Sequence, residues 1–244
     1  MDIEILSKEI AEFLNIDPAE SKKRLAKGFH ENHKLVAEDF VKNKVDVNNP
    51  SSLLNWYKNT EAYIWELSSY HLEPMFNYSG MCAGIAQGLK STGRSSVLCM
   101  GDGIGTLSLE CYRNNLHVTY HDLKDSKTCN FALSRFDKAG AEVGTLFTDN
   151  WNPVLGKDSF DAVVALDFFE HLVNVEEWVE AVYKCLKKDG AFIAQNAFAI
   201  GDAENGNSIP MHLSINNKYA EEWGNVLLKT GFKLHSNNSW WIKS

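Results

Sequence analysis

Three closely spaced glycines and one later carboxylate are the residues whose spacing most clearly indicates chemistry. Residues 97–106 read VLCMGDGIGT, with Gly101, Gly103 and Gly105 in the turn, and Asp122 ends the next apolar run. Glycines after a buried strand let the backbone approach a ligand, and an acid about 20 residues further on accepts hydrogen bonds from ribose hydroxyls. The pattern therefore predicts a binding site for an adenosine.

The spacing of the glycines bears on which adenosine cofactor is bound. The dinucleotide fingerprint is G-x-G-x-x-G/A, in which the third small residue lets the helix pack closely beneath a pyrophosphate. In this chain the third glycine comes one residue early, and Thr106 stands at the third position of the fingerprint. The spacing argues against a dinucleotide, but a glycine turn alone leaves more than one cofactor open.

The predicted secondary structure that must position these residues changes near residue 95, from helices alone to alternating strands and helices. Before it, apolar spacing and capping residues predict helices around residues 3–14, from Asp17 to about Lys42, over about 52–72 and over about 80–89. From Ser96 strands alternate with helices, which indicates a mostly parallel sheet. The predicted strands cover 96–100, 117–121, 142–147, 161–166, 191–196, 231–236 and 239–243. The predicted helices between them cover 105–113, 126–139, 175–187 and 217–229.

The last two strands are too close in sequence for a crossover helix, so we expect them to form an antiparallel hairpin across Asn237 and Asn238. The predicted fold class is α/β, with a Rossmann-like sheet of seven mostly parallel strands that ends in this hairpin. The predicted division is a helical cap or lid over residues 1–94 and a Rossmann-like domain over residues 95–244.

Composition and charge exclude several classes of protein. The chain has 244 residues and a net charge of −8, without a basic face, so nucleic acid is not expected as a partner. Its start lacks the pattern of a signal peptide, and no apolar run is long enough to span a membrane. The five cysteines are odd in number and contain no C-x-x-C pair, which indicates reduced thiols and a cytoplasmic location.

From Ser95 to Ser244 the motifs resemble, in order, those of the class I S-adenosylmethionine-dependent methyltransferases, and DFFEHL resembles the small-molecule branch. The matching segments are VLCMGDGIGTL, VTYHDL, LFTDNW, FDAVVALDFFEHL and CLKKDGAFIAQ. The resemblance implies S-adenosylmethionine as cofactor and S-adenosylhomocysteine as product. It implies that the cofactor is bound by Gly101, Asp102, Gly103, Gly105, Asp122, Leu123, Asp149, Asn150 and Asp167.

One residue departs from the family's pattern. Two positions before the first loop glycine the family usually has an acid, which helps to hold the methionine amino group, and this chain has Cys99. Asp102 within the loop could take over part of that role. The departure concerns the methionine end of the cofactor and leaves the predicted adenosine site unchanged.

A second group of residues is a candidate for catalysis. Asp167 follows the fourth strand of the sheet, His171 comes shortly after it, and His212 precedes the last helix. Either histidine could act as a general base or orient the acceptor, and Tyr57 and Tyr78 are further candidates for its pocket. No metal is expected. The alternative is that Asp167, Glu170, His171 and His212 hold a divalent ion, because they resemble the metal-binding pattern of small-RNA 3′-end methyltransferases.

Together these observations predict an S-adenosylmethionine-dependent methyltransferase. The methyl group would pass by direct displacement to oxygen, nitrogen or carbon of a small molecule, such as a natural product, or of a short peptide. Three alternatives stay open: a binding module without catalytic activity, an NAD-dependent oxidoreductase, and a metal-assisted RNA 2′-O-methyltransferase.

Overall fold

The computed structural model describes residues 2–198, 211–235 and 240–244 of the chain. Six helices come first, and strands alternate with helices after them, as the sequence predicts. The helices of the described residues are α1 (Ile3–Leu14), α2 (Pro18–Leu25), α3 (Gly28–Lys42), α4 (Pro50–Asn59), α5 (Ala62–Leu72), α6 (Tyr78–Ser91), α7 (Thr106–Arg113), α8 (Lys127–Lys138), α9 (Val175–Cys185) and α10 (Tyr219–Thr230). The strands are β1 (Ser96–Met100), β2 (His117–Leu123), β3 (Gly144–Thr148), β4 (Phe160–Leu166), β5 (Leu186–Gln195), β6 (Phe232–Leu234) and β7 (Trp241–Lys243).

The seven strands form one sheet in the order β3-β2-β1-β4-β5-β7-β6. The first five strands pair in parallel, whereas β7 is antiparallel to both β5 and β6. The predicted α/β fold with an antiparallel pair at the end of the sheet is thus confirmed. The turn predicted at Asn237 and Asn238 lies outside the described residues. Strand order reverses between β1 and β4, and ligands of such sheets bind at the carboxyl ends of the strands on either side of this point.

The N-terminal helices differ from the prediction at one break. The single helix expected from Asp17 to about Lys42 is wrong, because the chain contains two helices that meet at Gly28, whose φ is +82°. A left-handed residue cannot continue a right-handed helix. The region predicted as helical over 52–72 consists of α4 and α5, and the Thr60 hydroxyl between them accepts the N–H of Ala62 (3.1 Å).

The N-terminal helices share their apolar cores with the sheet and its helices. Leu89 and Cys82 of α6 pack with Val97 and Cys99 of β1 in one core cluster. In another cluster, α1, α2 and α5 pack against the glycine loop and α8, through residues that include Leu6, Leu25, Trp65, Ile104 and Phe131. Among the described residues, no helix combines the length and apolar character that crossing a membrane requires.

Candidate functional site

The glycine loop between β1 and α7 is held by hydrogen bonds from two other elements. Gly101 donates its N–H to the carbonyl of His121 on β2 (2.9 Å), and the Tyr120 hydroxyl donates to the carbonyl of Gly103 (2.8 Å). The buried Arg135 of α8 donates from its guanidinium to the carbonyl of Ile104 (2.5 Å). These bonds fix the shape of the loop at the carboxyl end of β1.

All three glycines of the loop have a left-handed backbone, with φ of +66°, +51° and +77°. Their missing side chains make room for other parts of the protein. A Cβ on Gly101 would lie 2.2 Å from Phe168, and a Cβ on Gly103 would lie 2.6 Å from Leu67. The backbone conformation therefore disfavours a side chain at all three positions, and at Gly101 the ring of Phe168 also leaves no room for one. The sequence explains these glycines by the approach of a ligand, and close protein packing is a second reason for them.

Asp122 lies at the carboxyl end of β2, beside the glycine loop. Its Oδ2 accepts the N–H of Gly103 (2.8 Å), and its Oδ1 accepts the N–H of Leu123 (2.7 Å). Burial raises the pKa of Asp122 to about 6, although these two bonds favour the charged form. A carboxylate oxygen can accept more than one hydrogen bond, so each oxygen keeps capacity for a hydroxyl of a bound ligand.

Asp102 is hydrogen-bonded to the start of α7, and Cys99 is buried in an apolar core. The carboxylate of Asp102 accepts the N–H groups of Leu107 (3.1 Å) and Ser108 (2.7 Å) at the start of α7. Burial raises the pKa of Asp102 to about 7. Cys99 is fully buried in the core that contains α6, α7 and β1. Asp102, the acid that could take over part of the role left open by Cys99, thus binds backbone amides of α7 through both of its oxygens.

In the loop after β3, hydrogen bonds hold the side chain of Asn150, a further predicted residue. Oδ1 of Asn150 accepts the N–H of Asn152 (2.7 Å), which makes an Asx turn, and Nδ2 of Asn150 donates to Asp149 (3.0 Å). The indole N–H of the neighbouring Trp151 donates to the carbonyl of Pro50 (2.9 Å), so α4 holds this loop in place.

A cavity of about 170 Å³ brings these elements together at the carboxyl ends of β1, β2 and β4. The predicted site residues that line it are Tyr57, Tyr78, Gly101, Asp102, Gly103, Asp122, Leu123, Asn150, Asp167 and His171. Four predicted residues do not line it, namely Gly105, Asp149, His212 and, from the metal-binding alternative, Glu170. We call the part formed by Gly101, Gly103 and Asp122, where the sequence predicts an adenosine, the adenosine end.

Around Asp167 and His171 the cavity is lined by tyrosines, which helices α4 and α5 contribute. We call the part of the cavity formed by Tyr57, Tyr63, Tyr70, Asp167 and His171 the aromatic end. The rings of Tyr57 and Tyr63 are stacked, with centroids 5.7 Å apart. The hydroxyl of Tyr70 donates to Oδ2 of Asp167 at 3.5 Å.

The protonation of His171 follows from its two neighbours. Its Nδ1 lies 3.1 Å from the carbonyl oxygen of Met211 and 3.1 Å from the hydroxyl of Tyr57. A carbonyl oxygen can only accept, so Nδ1 carries the proton and Nε2 carries a lone pair. Burial lowers the pKa of His171 to about 4, so the ring is neutral at pH 7. His171 can therefore accept a proton at Nε2.

Two carboxyl groups near the aromatic end are poorly neutralised. Asp167 has a left-handed backbone (φ +50°), and burial, followed by the nearby Glu170 and Glu66, raises its pKa to about 7. Burial also raises the pKa of Glu170 to about 7. Oε1 of Glu170 accepts the N–H of Ala197 (2.8 Å), and its buried Oε2 has no hydrogen-bond partner among the described residues. Neither Asp167 nor Glu170 forms an ion pair with another of the described residues.

Glu170, His171 and His212 form a group of possible metal ligands. One ligand atom of each lies within 4.8 Å of those of the other two, and the two imidazole rings meet edge to face with centroids 4.9 Å apart. Asp167, the fourth residue of the metal-binding alternative, is not part of this group.

Residues 98–192, which include the glycine loop, Asp122, Asp167 and His171, match the model of a family described as a methyltransferase domain. These residues form a methyltransferase domain. The match supports the resemblance of the motifs to the class I S-adenosylmethionine-dependent methyltransferases. No curated protein sequence is significantly similar to the chain.

Solved structures share the fold of this methyltransferase domain. The YcgJ protein from Bacillus subtilis is 22% identical, with a TM-score of 0.50, and the match covers 63% of this chain and 69% of that one. A protein from Methanococcus maripaludis, described as an S-adenosylmethionine-dependent methyltransferase, is 16% identical, with a TM-score of 0.53. That match covers 72% of this chain and 90% of the other.

Several residues that line the cavity were not among the predicted ones. Tyr63 and Tyr70 lie seven positions apart on α5, a spacing that puts both on one helix face and could have indicated them as a pair. Phe168 and Trp151 belong to the matched motifs but were not considered. Arg135, which holds the glycine loop and does not line the cavity, gave no signal in the sequence, because a basic residue on an amphipathic helix is ordinarily solvated.

Proposed function

We propose that the protein transfers a methyl group from S-adenosylmethionine to a small-molecule or short-peptide acceptor by direct displacement. The observation that carries this proposal is Asp122. Its carboxylate ends β2 beside the glycine loop, each of its oxygens accepts a backbone N–H, and it lines the cavity. A ribose diol offers two hydroxyl donors to a carboxylate placed in this way.

The residues of the cavity fit this cofactor at the adenosine end. Asp122 would accept the ribose hydroxyls, the backbone of Gly101 and Gly103 would border the ligand, and Asn150 with Leu123 would flank the adenine. The methionine part would extend towards Asp167. Asp149 is exposed and Gly105 is buried outside the cavity, so we do not assign either of them a direct contact.

S-adenosylmethionine, when bound, supplies a methyl carbon that the sulfonium already activates for attack. The protein's contribution is then to orient the acceptor and to exclude water from it. The tyrosines of the aromatic end provide walls for this purpose. His171 can accept the acceptor's proton at Nε2, because its Nδ1 is held by Met211 and Tyr57 and its ring is neutral. His212 packs against His171 and would position it.

A small acceptor fits a half-enclosed cavity whose aromatic end is built from helices α4 and α5. No lysine or arginine lines the cavity among the described residues, which favours this class over a nucleic-acid substrate. The N-terminal helices would act as a cap over the acceptor. We also propose a cytoplasmic location, because all five cysteines are free and buried thiols.

Metal-assisted transfer is the second candidate, since Glu170, His171 and His212 lie within 4.8 Å of one another. It predicts that dialysis against EDTA abolishes activity and that one added divalent ion restores it. Activity that is unchanged by EDTA would exclude this candidate and leave the first one standing.

The experiment that tests the proposed function is a calorimetric titration of the protein with S-adenosylhomocysteine and, separately, with NADH. We expect S-adenosylhomocysteine to bind, NADH not to bind, and Asp122→Ala to weaken the binding. Asp137→Ala is the matched control, because Asp137 is an exposed acid near the end of α8. Tight binding of NADH without binding of S-adenosylhomocysteine would overturn the proposal. Binding without methyl transfer to any acceptor would favour a module without catalytic activity.

A further inference from the structure

The charged groups that line the cavity are all acidic. Among the described lining residues there is no lysine or arginine, and the ionisable groups other than histidine and tyrosine are Asp102, Asp122 and Asp167. An acceptor that carries a carboxylate or a phosphate would find no cation there to pair with. The potential inside the cavity therefore disfavours anionic acceptors.

The three acids are not equivalent, because two of them are committed to the backbone. Asp102 accepts two amide hydrogens at the start of α7, and Asp122 accepts the amides of Gly103 and Leu123. Among the described residues, the carboxylate of Asp167 accepts only the hydroxyl of Tyr70, in a long contact of 3.5 Å. Asp167 is thus the lining carboxylate that lacks strong partners.

A second group close to Asp167 also lacks compensation. Only 1% of the surface of Glu170 is exposed, and its Oε2 has no hydrogen-bond partner among the described residues. Both Glu170 and Glu66 are near enough to raise the pKa of Asp167. Oε1 of Glu66 lies 3.2 Å from Nδ1 of His33, and Oε2 of Glu66 is also buried without a hydrogen-bond partner among the described residues. A buried negative charge without a partner is costly, and a cation bound next to it removes much of that cost.

The walls around Asp167 suit a cation better than they suit an anion. Tyr57, Tyr63 and Tyr70 line the cavity, and the faces of aromatic rings carry partial negative charge that attracts ammonium groups. The hydroxyl of Tyr70 is already directed at Asp167. The aromatic end thus combines a carboxylate with an aromatic wall, which is how proteins recognise amines.

Resting on the proposed function, we propose that the acceptor is an amine that enters the aromatic end as an ammonium ion, with Asp167 as its counter-ion and the tyrosine rings as its walls. An ammonium nitrogen has no lone pair, so the acceptor must lose a proton before it can accept a methyl group. The carboxylate of Asp167, which lines the cavity beside the ammonium, can take that proton.

The test compares probes of the same shape and different charge on protein already saturated with S-adenosylhomocysteine. Benzylamine, benzyl alcohol and benzoate are titrated at millimolar concentration by calorimetry at pH 8. We expect benzylamine to bind at least about ten-fold more tightly than benzyl alcohol, and benzoate to bind most weakly. In Asp167→Asn the preference for the amine should fall below about three-fold, whereas Asp137→Asn, an exposed acid near the end of α8, should retain it.

Saturation with S-adenosylhomocysteine is measured first, so the two proposals fail separately. If S-adenosylhomocysteine does not bind, the proposed function fails. If it binds and benzylamine binds no better than the alcohol or the benzoate, or does not bind at all, the amine proposal is overturned. The amine proposal is also overturned if Asp167→Asn keeps the preference for benzylamine, because Asp167 then pairs with the ammonium group of S-adenosylhomocysteine instead. Should Asp167→Asn not fold, Tyr70→Phe, which removes the hydroxyl bound to Asp167, must reduce the preference.

Discussion

The adenosine end and the aromatic end of the cavity hold their carboxylates in different ways. At the adenosine end, Asp122 accepts two backbone amides at 2.7 and 2.8 Å, from the loop and from its own strand. At the aromatic end, Asp167 has one hydroxyl at 3.5 Å, and the neighbouring Glu170 has an oxygen without a partner among the described residues. The first end is built to stay in place without a ligand, and the second leaves charge that a ligand can neutralise.

The two ends also differ in the parts of the sequence that form them. The adenosine end comes from one continuous stretch, from the glycine loop to the end of β2. The aromatic end joins α4 and α5 to the segment after β4, about a hundred residues away, as the contact between Tyr57 and His171 illustrates. A binding function common to a family can be local in sequence, whereas recognition of one acceptor depends here on tertiary packing.

The largest expected effect concerns His171 at the aromatic end. His171→Ala should lower the rate of methyl transfer by about 10²- to 10⁴-fold, because it removes the proton acceptor Nε2. Its affinity for S-adenosylhomocysteine should stay close to that of the wild type. The rate is measured as S-adenosylhomocysteine formation with the amine that binds most tightly. His117→Ala, at an exposed position on β2, is the control. An unchanged rate in both His171→Ala and His212→Ala would make these residues purely structural.

At the adenosine end, Asp122→Ala should weaken S-adenosylhomocysteine binding by about 1–3 kcal/mol, because the ribose hydroxyls and the N–H of Gly103 lose their acceptor. Asp149→Ala is the matched comparison, since Asp149 also follows a strand but is exposed and outside the cavity. Calorimetry should find little change for it. Equal losses in the two variants would mean that the two acids have similar roles.

The pH dependence of stability should separate Asp167 from an ordinary surface acid. Its pKa is raised from the usual 3.8 to about 7 in the folded protein, so the folded state holds a proton that the unfolded state has lost. The stability from this group is present below about pH 4 and is lost as pH rises through about 7. Between pH 5 and 8 the wild type should lose about 2 kcal/mol that Asp167→Asn does not lose. Parallel urea-unfolding profiles for the two proteins would contradict this assignment.

The smallest effect is expected where the N-terminal helices support the glycine loop. Arg135, which donates to the carbonyl of Ile104, is also paired with Glu9 of α1 at 2.9 Å. Glu9→Gln should lower the free energy of unfolding by about 1 kcal/mol, because Arg135 is buried. Glu12→Gln, which breaks the exposed pair with Lys138 between the same two helices, should change it by less than about 0.5 kcal/mol. Equal changes would mean that Arg135 does not depend on α1.

Sequence patterns predicted the parts of the molecule that local rules determine. The strand, the glycine turn and Asp122 follow from periodicity and spacing, and the antiparallel pair at the end of the sheet follows from the short connection between the last two strands. The break at Gly28 was missed because an isolated glycine inside a helical pattern is usually tolerated. The bonds of Asp102 to α7, and the pair between Arg135 and Glu9, could not be predicted because they depend on three-dimensional approach. Tyr57 and Tyr78 were chosen for their chemistry, and their neighbours Tyr63 and Tyr70 needed the packing of α5.

The central claim is that Asp122 and the glycine loop bind the adenosine of S-adenosylmethionine. A crystal structure of the protein with S-adenosylhomocysteine tests it directly. We expect both ribose hydroxyls within hydrogen-bond distance of the Asp122 carboxylate, with the sulfur directed towards Asp167 and the tyrosines. A nucleoside bound elsewhere, or a ribose that does not contact Asp122, would contradict it.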